Sequence, residues 1–281
     1  MTAAVESPAR TRSTARPGRA LSRSRGATLG LGVALLWFSL LVLIPLAAVL
    51  VTASEGGWSG FWQVVSNEQT FAAIRLTVLQ AALVTVVNVV LGPVIAWVLV
   101  RDRFWGRSVL NVIIDIPFAL PTIVAGLVLL SLYGPQSPLG LHLANTESAV
   151  TLALLFVTLP FIVRTVQPVL EELEPDVEEA AASLGASRTT ILVKILLPSL
   201  VPAIAAGAAL SFARGISEYG ALVLLSGNLP MRTEVASVRV LSYVENGNTA
   251  AAAAVATVLL VVALAVIVVL DLVQRRVARR G

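Results

Sequence analysis

Few side chains in this sequence could do chemistry, and their scarcity narrows the classes of function. There is one histidine, His142, one lysine, Lys194, and no cysteine. Structural disulfides, thiolate metal sites and haem attachment are excluded. A single histidine supports neither histidine-based catalysis nor a multi-histidine metal site. A phosphate-binding loop needs Gly-x-x-x-x-Gly-Lys-Ser/Thr, whereas Lys194 stands between Val193 and Ile195. The sequence therefore offers no catalytic residue, no metal ligand set and no nucleotide site of its own.

Two charged groupings remain. In "ALSFARGISEYGALVLL", Arg214 and Glu218 lie four residues apart inside an apolar run, followed by Tyr219. On one reading Arg214 biases a pathway towards an oxyanion, with Glu218 and Tyr219 positioning it. On the other, the two charges neutralise each other at i,i+4, in the weaker of the two orientations for such a pair. The second grouping is "EEAAASLGASRTTILVKILLP", Glu178 to Pro198, which follows Glu171, Glu172, Glu174 and Asp176. Residues 176–194 read as a short surface helix and a turn. Carboxylates at its start favour the positive end of the helix dipole, its alanines favour helix, and Gly185 ends or bends it. Such a helix could lie on lipid headgroups. An acidic helix poor in Lys and Arg is repelled by an anionic leaflet, which favours docking to a partner protein.

The elements that must carry these groupings are membrane helices. The 281 residues are 57% hydrophobic and 13% charged, about half the charged fraction of a soluble domain. Six apolar runs, near 27–51, 71–100, 109–133, 149–168, 200–226 and 250–270, are each long enough to cross a core of about 30 Å at about 1.5 Å per residue. Val51–Ala53 could pass for a signal-peptidase site, but the run before it is too long for a signal peptide, so an uncleaved first span is expected. Pro45, Pro93, Pro117, Pro121 and Pro160 are tolerable inside such helices. Continuous apolar runs exclude a β-barrel. A 200–226 span places Arg214 about 24 Å and Glu218 about 30 Å from Pro198, in its outer half. The expected organisation is a disordered basic tail over 1–26, a membrane domain over 27–273 with its core at 71–273, and a basic tail over 274–281.

Basic residues set the orientation. The N-terminal tail has six, the 101–108 loop three, the 169–199 loop two and the C-terminal tail four, whereas the alternate loops at 52–70, 134–148 and 227–249 have none, none and two. Both termini and the Glu178–Pro198 segment are thus expected in the cytoplasm. The net charge of +4 reflects this sorting and not a nucleic-acid surface, because the arginines lie along no single face.

The spacing Glu179-Ala180-Ala181, three residues, Gly185, nine residues, Ile195, one residue, Leu197-Pro198 resembles the cytoplasmic-loop signature of bacterial ABC importer permeases. The resemblance implies an all-α, six-span type I importer fold whose coupling helix enters a cleft on a cytoplasmic ATPase. Together, "DIPFALPTIVAGLVLLSLYG" and the segment after Arg214 are similar to the T-type permease of the sulfate/thiosulfate family, over nearly the whole of 71–273. That family implies a homologous second permease, two copies of an ATPase subunit that bind ATP and Mg, an extracytoplasmic sulfate-binding protein, and the bacterial cytoplasmic membrane. Molybdate and tungstate permeases share the "FARGISEYGA" element, and a secondary transporter needing no ATPase is the rival from another class. Among the remaining charges, Arg75 and Arg164 are expected to snorkel, Asp115 to make a structural contact near Pro117 and His142 to be solvated, while the loop 227–249, with Arg232, Glu234, Arg239 and Glu245, reads equally as a receiving surface for a substrate-binding protein or as a solvated loop.

Overall fold

A backbone that lies in hydrocarbon must satisfy its own hydrogen bonds, which restricts this sequence to helices. The computed structural model describes residues 25–173 and 175–278, so most of the expected N-terminal tail, Glu174 and the last three residues lie outside the described residues. The described residues form helices and connecting turns, with no strand. In order, these are α1 (Arg25–Phe38), α2 (Ile44–Ser54), α3 (Gly57–Val65), α4 (Glu68–Arg101), α5 (Arg107–Ala119), α6 (Thr122–Tyr133), α7 (Glu147–Glu172), α8 (Pro175–Ser183), α9 (Arg188–Ile191), α10 (Leu197–Ile216), α11 (Gly220–Leu225), α12 (Ala236–Glu245) and α13 (Thr249–Ala278).

The described residues up to Ala47 form a unit of their own, and those from Ala48 onward form another. In the first, large apolar side chains, Trp37 and Phe38 among them, are uncovered by the chain, as suits a helix whose solvent is lipid. Two π turns, Ser39–Leu43 and Leu192–Leu196, join α1 to α2 and α9 to α10. Each ends two residues before a proline, Pro45 or Pro198. A proline ring clashes with the carbonyl four residues back. The widened turn relieves that clash, with Ile44 N–H donating to Ser39 O and Leu197 N–H to Leu192 O.

Five spans are single or π-joined helices: Gly30–Ser54, Glu68–Arg101, Glu147–Glu172, Arg188–Ile216 and Thr249–Arg276. The expected continuous span over 109–133 is instead α5 and α6, bent by 118°. Leu120 and Pro121 at the break are both extended, at ψ 135°, because proline disfavours the helical region for the residue before it. Neither half, at about 20 and 18 Å, crosses the core alone. Asn111 and Asp115 of α5 hold Arg164, while the Tyr133 carbonyl accepts from Leu143 and Ala144 N–H, just before α7 begins. The described residues thus hold five unbroken spans, and six where this bent pair counts as one.

The expected span at 200–226 is also corrected. It starts earlier, at Arg188, and α10 stops at Ile216. Ser217–Tyr219 break the helix and α11 follows as a separate short helix. Likewise, 227–249 is more than a solvated loop, since it contains α12, which packs on α13 and α4. Within it, Glu234 is buried and accepts from Gln69 Nε2 at 2.7 Å.

The core is the α4–α7–α10 triple, with α13 against α10. Close approach there depends on small residues, as is usual between membrane helices. A Cβ added to Gly92 would lie 2.9 Å from Ile162 Cβ, and one added to Gly207 would lie 2.9 Å from Ile162 Cα. At the centre, the buried Asn88 donates from Nδ2 to Thr158 Oγ1 at 2.8 Å and to Ser211 Oγ at 3.1 Å, stitching the three helices together. The two outer half-helices, α6 and α11, touch backbone to backbone where Gly126 faces Ala221.

At that contact no side chain can yield, because a Cβ on Gly126 would meet Ala221 Cα at 2.8 Å. Gly126→Ala is expected to destabilise the protein by about 1–3 kcal/mol, read as a lowered unfolding temperature of the purified protein in detergent. Gly60→Ala, where an added Cβ meets nothing within 4 Å, serves as the control and should leave that temperature unchanged or raised.

Candidate functional site

At one end of the bundle Arg101 meets the end of α7 and the start of α8. At this end α8 is a nine-residue helix, about 13 Å long. Its stop is built from backbone bonds. Gly185 takes φ +85°, Gly185 N–H donates to Ala182 O at 2.9 Å, and Ala186 N–H donates to Ala181 O at 3.0 Å. This is the Schellman arrangement, which a left-handed glycine allows. Ser187 then opens α9, its hydroxyl accepting from Thr190 N–H at 3.2 Å.

The carboxylates of α8 divide by direction. Glu178 turns to the bundle and pairs with Arg101 at 2.8 Å. Glu179, one residue on and about 100° around the helix, is exposed. Ala180 is exposed and Ala181 half-buried. Val177 is exposed on the Ala180 side of the helix, and so is Leu184, at 90%. This bare apolar side chain forms a knob at that end of the protein. The sequence reading did not single it out. Its seven-residue spacing from Val177, across Ala180 and Ala181, is the signal that could have found it.

The remaining signature residues occupy the foot of the fifth span and not α8. Ile195 lies in the second π turn, half-buried, while Leu197 and Pro198 begin α10 on an uncovered face. One groove of about 770 Å³ brings the two parts together. Glu178, Arg188, Leu192 and Leu197 form one wall, and Pro93 and Trp97 of α4 form the other.

The other grouping is also assembled, but as a closed pair. Arg214 Nη2 stands 2.6 Å from Glu218 Oε2, and Glu218 is buried. Its second oxygen, Oε1, accepts from Ala221 N–H at 2.8 Å at the start of α11, and its backbone carbonyl accepts from Ser237 Oγ at 2.8 Å. Glu218 thus sits in the break after α10, not within a span as expected, and it fastens that break to α11 and α12. Tyr219 is not part of this polar cluster. It lines an apolar cavity of about 560 Å³ with Ile216, Val240, Leu241 and Leu260.

Arg164 does not snorkel. Asp115 holds it by two contacts, at 2.8 Å to Nε and 2.7 Å to Nη2, and Asn111 O accepts from Nη2 at 3.0 Å. Asp115 thereby makes the interhelical contact expected of it. Arg75 is exposed on α4, and exposed His142 has its Nδ1 3.1 Å from Gly134 O.

Comparison with known proteins agrees with this arrangement. Residues 88–280 match the family "Binding-protein-dependent transport system inner membrane component". The chain is 43% identical over 262 residues to the sulfate transport system permease protein CysT of Salmonella typhimurium, covering 91% of this chain and 95% of that protein. It is 42% identical, at the same coverage, to the protein of that name from Escherichia coli K12. The Synechocystis protein is 39% identical over 250 residues, covering 86% of this chain and 87% of its own. A solved bacterial ABC transporter involved in alginate import has a chain that superposes with a TM-score of 0.73, over 89% of this chain and 94% of its own, at 18% identity; at that identity the likeness concerns the fold alone. The chain thus belongs to the family of binding-protein-dependent transport system inner membrane components and is a permease subunit of an ABC importer.

Proposed function

We propose that this permease moves sulfate or thiosulfate inward across the cytoplasmic membrane, driven by an ATPase that is a separate chain. The observation that carries the substrate is the similarity to sulfate transport system permeases along almost the entire length. The sorting of basic residues supports a cytoplasmic location for α8 and for both termini. ATP and Mg²⁺ are held by two copies of the ATPase subunit, while a second, homologous permease closes the path and an extracytoplasmic binding protein delivers the anion. α8 is the coupling helix. Its exposed residues Val177, Glu179, Ala180 and Leu184, with half-buried Ala181 beside them, enter a cleft on the ATPase, and Gly185 sets the turn that presents them. Ile195, Leu197 and Pro198 form the stiff foot that joins this turn to the fifth span.

The Arg214–Glu218 pair fastens the break below α11, in preference to a direct role on the anion. A buried carboxylate already paired with a guanidinium and an N–H has little left with which to bind and release substrate. Breaking such a pair costs about 3–5 kcal/mol, whereas replacing both partners by apolar groups is often neutral. Glu218→Leu alone should therefore reduce the folded protein recovered from membranes, and Arg214→Met/Glu218→Leu should restore both the protein and its uptake. Loss of uptake by the well-folded double variant would instead place Arg214 on the anion path.

The substrate is tested by labelled sulfate uptake in a host lacking its own T-type permease and complemented with this chain. Uptake that requires ATP and survives excess molybdate is expected. Uptake abolished by molybdate overturns the sulfate assignment. Docking is tested by co-purification. Glu179→Lys and Leu184→Asp should each lose the ATPase subunit while the permease stays folded in the membrane; full retention by both would contradict the role given to α8.

A further inference from the structure

The coupling helix must also be held from within, and one guanidinium stands where it could be. Arg101 is the last residue of α4. Its Nη2 donates to Glu178 Oε1 of α8 at 2.8 Å and to Leu173 O, the carbonyl that closes α7, at 3.1 Å. Its guanidinium carbon also lies 5.9 Å from the ring centroid of Trp97, one turn back on α4. Three helix ends therefore meet at one side chain. The ion pair is partly withdrawn from solvent, its side chains being 19% and 27% exposed. Charge-assisted bonds of this kind are about twice as strong as neutral ones.

The rest of α8 is loosely attached. Its packing is against α9, which is itself a single turn, and its other side-chain bond, Ser183 Oγ to Glu179 O, is internal. Beside it the groove between α4 and the fifth span is open, with Glu178 on its wall. A push on α8 could be absorbed there, unless it is passed directly to the long helices. α4 and α7 pack together along the core, and both pack on α10. A displacement handed to Arg101 therefore reaches three spans at once.

Building on the coupling role proposed for α8, we infer that the Arg101–Glu178 pair is the latch that transmits movement of the docked helix into α4 and α7. Neighbouring carboxylates then have separate tasks: Glu179 faces the ATPase and Glu178 faces the bundle. Arg101 is a positioning residue that touches neither the anion nor the nucleotide. Its removal leaves the docking face intact, since α8 ends in its own backbone-bonded stop.

The test uses the complete importer, both permeases with the ATPase and the binding protein, reconstituted in proteoliposomes. Sulfate imported and ATP hydrolysed are measured together. Arg101→Gln is expected to keep the ATPase bound and hydrolysing, while sulfate imported per ATP falls about tenfold, within the range of measured coupling between sites. Glu178→Gln, which leaves the Leu173 bond to Arg101 in place, should uncouple similarly and serves if Arg101→Gln fails to fold. The exchange Arg101→Glu/Glu178→Arg should recover most of the ratio. An unchanged ratio in the single variants, loss of the bound ATPase, or an exchange no better than either single variant overturns the latch. Retention of the ATPase by both Glu179→Lys and Leu184→Asp would instead overturn the coupling role on which it rests, so the two failures are distinguishable.

Discussion

A polar group placed in hydrocarbon has no water to turn to, and most of this architecture follows from that. Each departure from a plain helix comes with its compensation. Two π turns precede prolines that would otherwise collide with a carbonyl. Both breaks, at Leu120–Pro121 and at Ser217–Tyr219, lead into short helices that pack on one another and so shelter the interrupted backbone. Arg164 is paired with Asp115, and Arg214 with Glu218 at the second break. Asn88 finds two hydroxyls on neighbouring helices.

The same constraint explains where the functional surface can lie. Lipid provides no hydrophobic drive for helix association, so the spans are held by close packing at Gly92, Gly126 and Gly207 and by interhelical polar contacts. The bundle formed in this way is rigid, and the aqueous end carrying the arginines is where a separate chain can grip it. α8 meets that need with an exposed apolar knob, outward Glu179 and a fixed turn, while inward Glu178 ties it to the long helices.

Much of this was legible in the sequence, because the features concerned are local. Span positions follow from runs of apolar residues, and the short helix ahead of Gly185 from its acidic start and its alanines. Gly185 announces its turn because few other residues adopt a positive φ. The broken spans were not legible. Pro93, Pro160 and Pro168 remain inside helices, so proline alone does not mark a break. What distinguishes Pro121 is the partner surface that its break meets, namely Gly220 and Ala221 about a hundred residues later. Arg101 counted only as one more positive charge, since its partner Glu178 is 77 residues away. Arg164 was misread for the same reason, with Asp115 49 residues distant.

The central claim is that α8 is where the ATPase seats. Because the chain contains no cysteine, Leu184→Cys creates a unique thiol on the exposed knob, and Trp58→Cys creates one at the opposite end of the bundle, where the native side chain is 74% exposed. Thiol cross-linking in membranes containing the complete importer is the direct measurement. The account predicts that Leu184→Cys joins the permease to the ATPase subunit, with a yield that changes when ATP is added, and that Trp58→Cys does not. Cross-linking to the ATPase from Trp58→Cys, or none from Leu184→Cys in a complex that still transports, would contradict it.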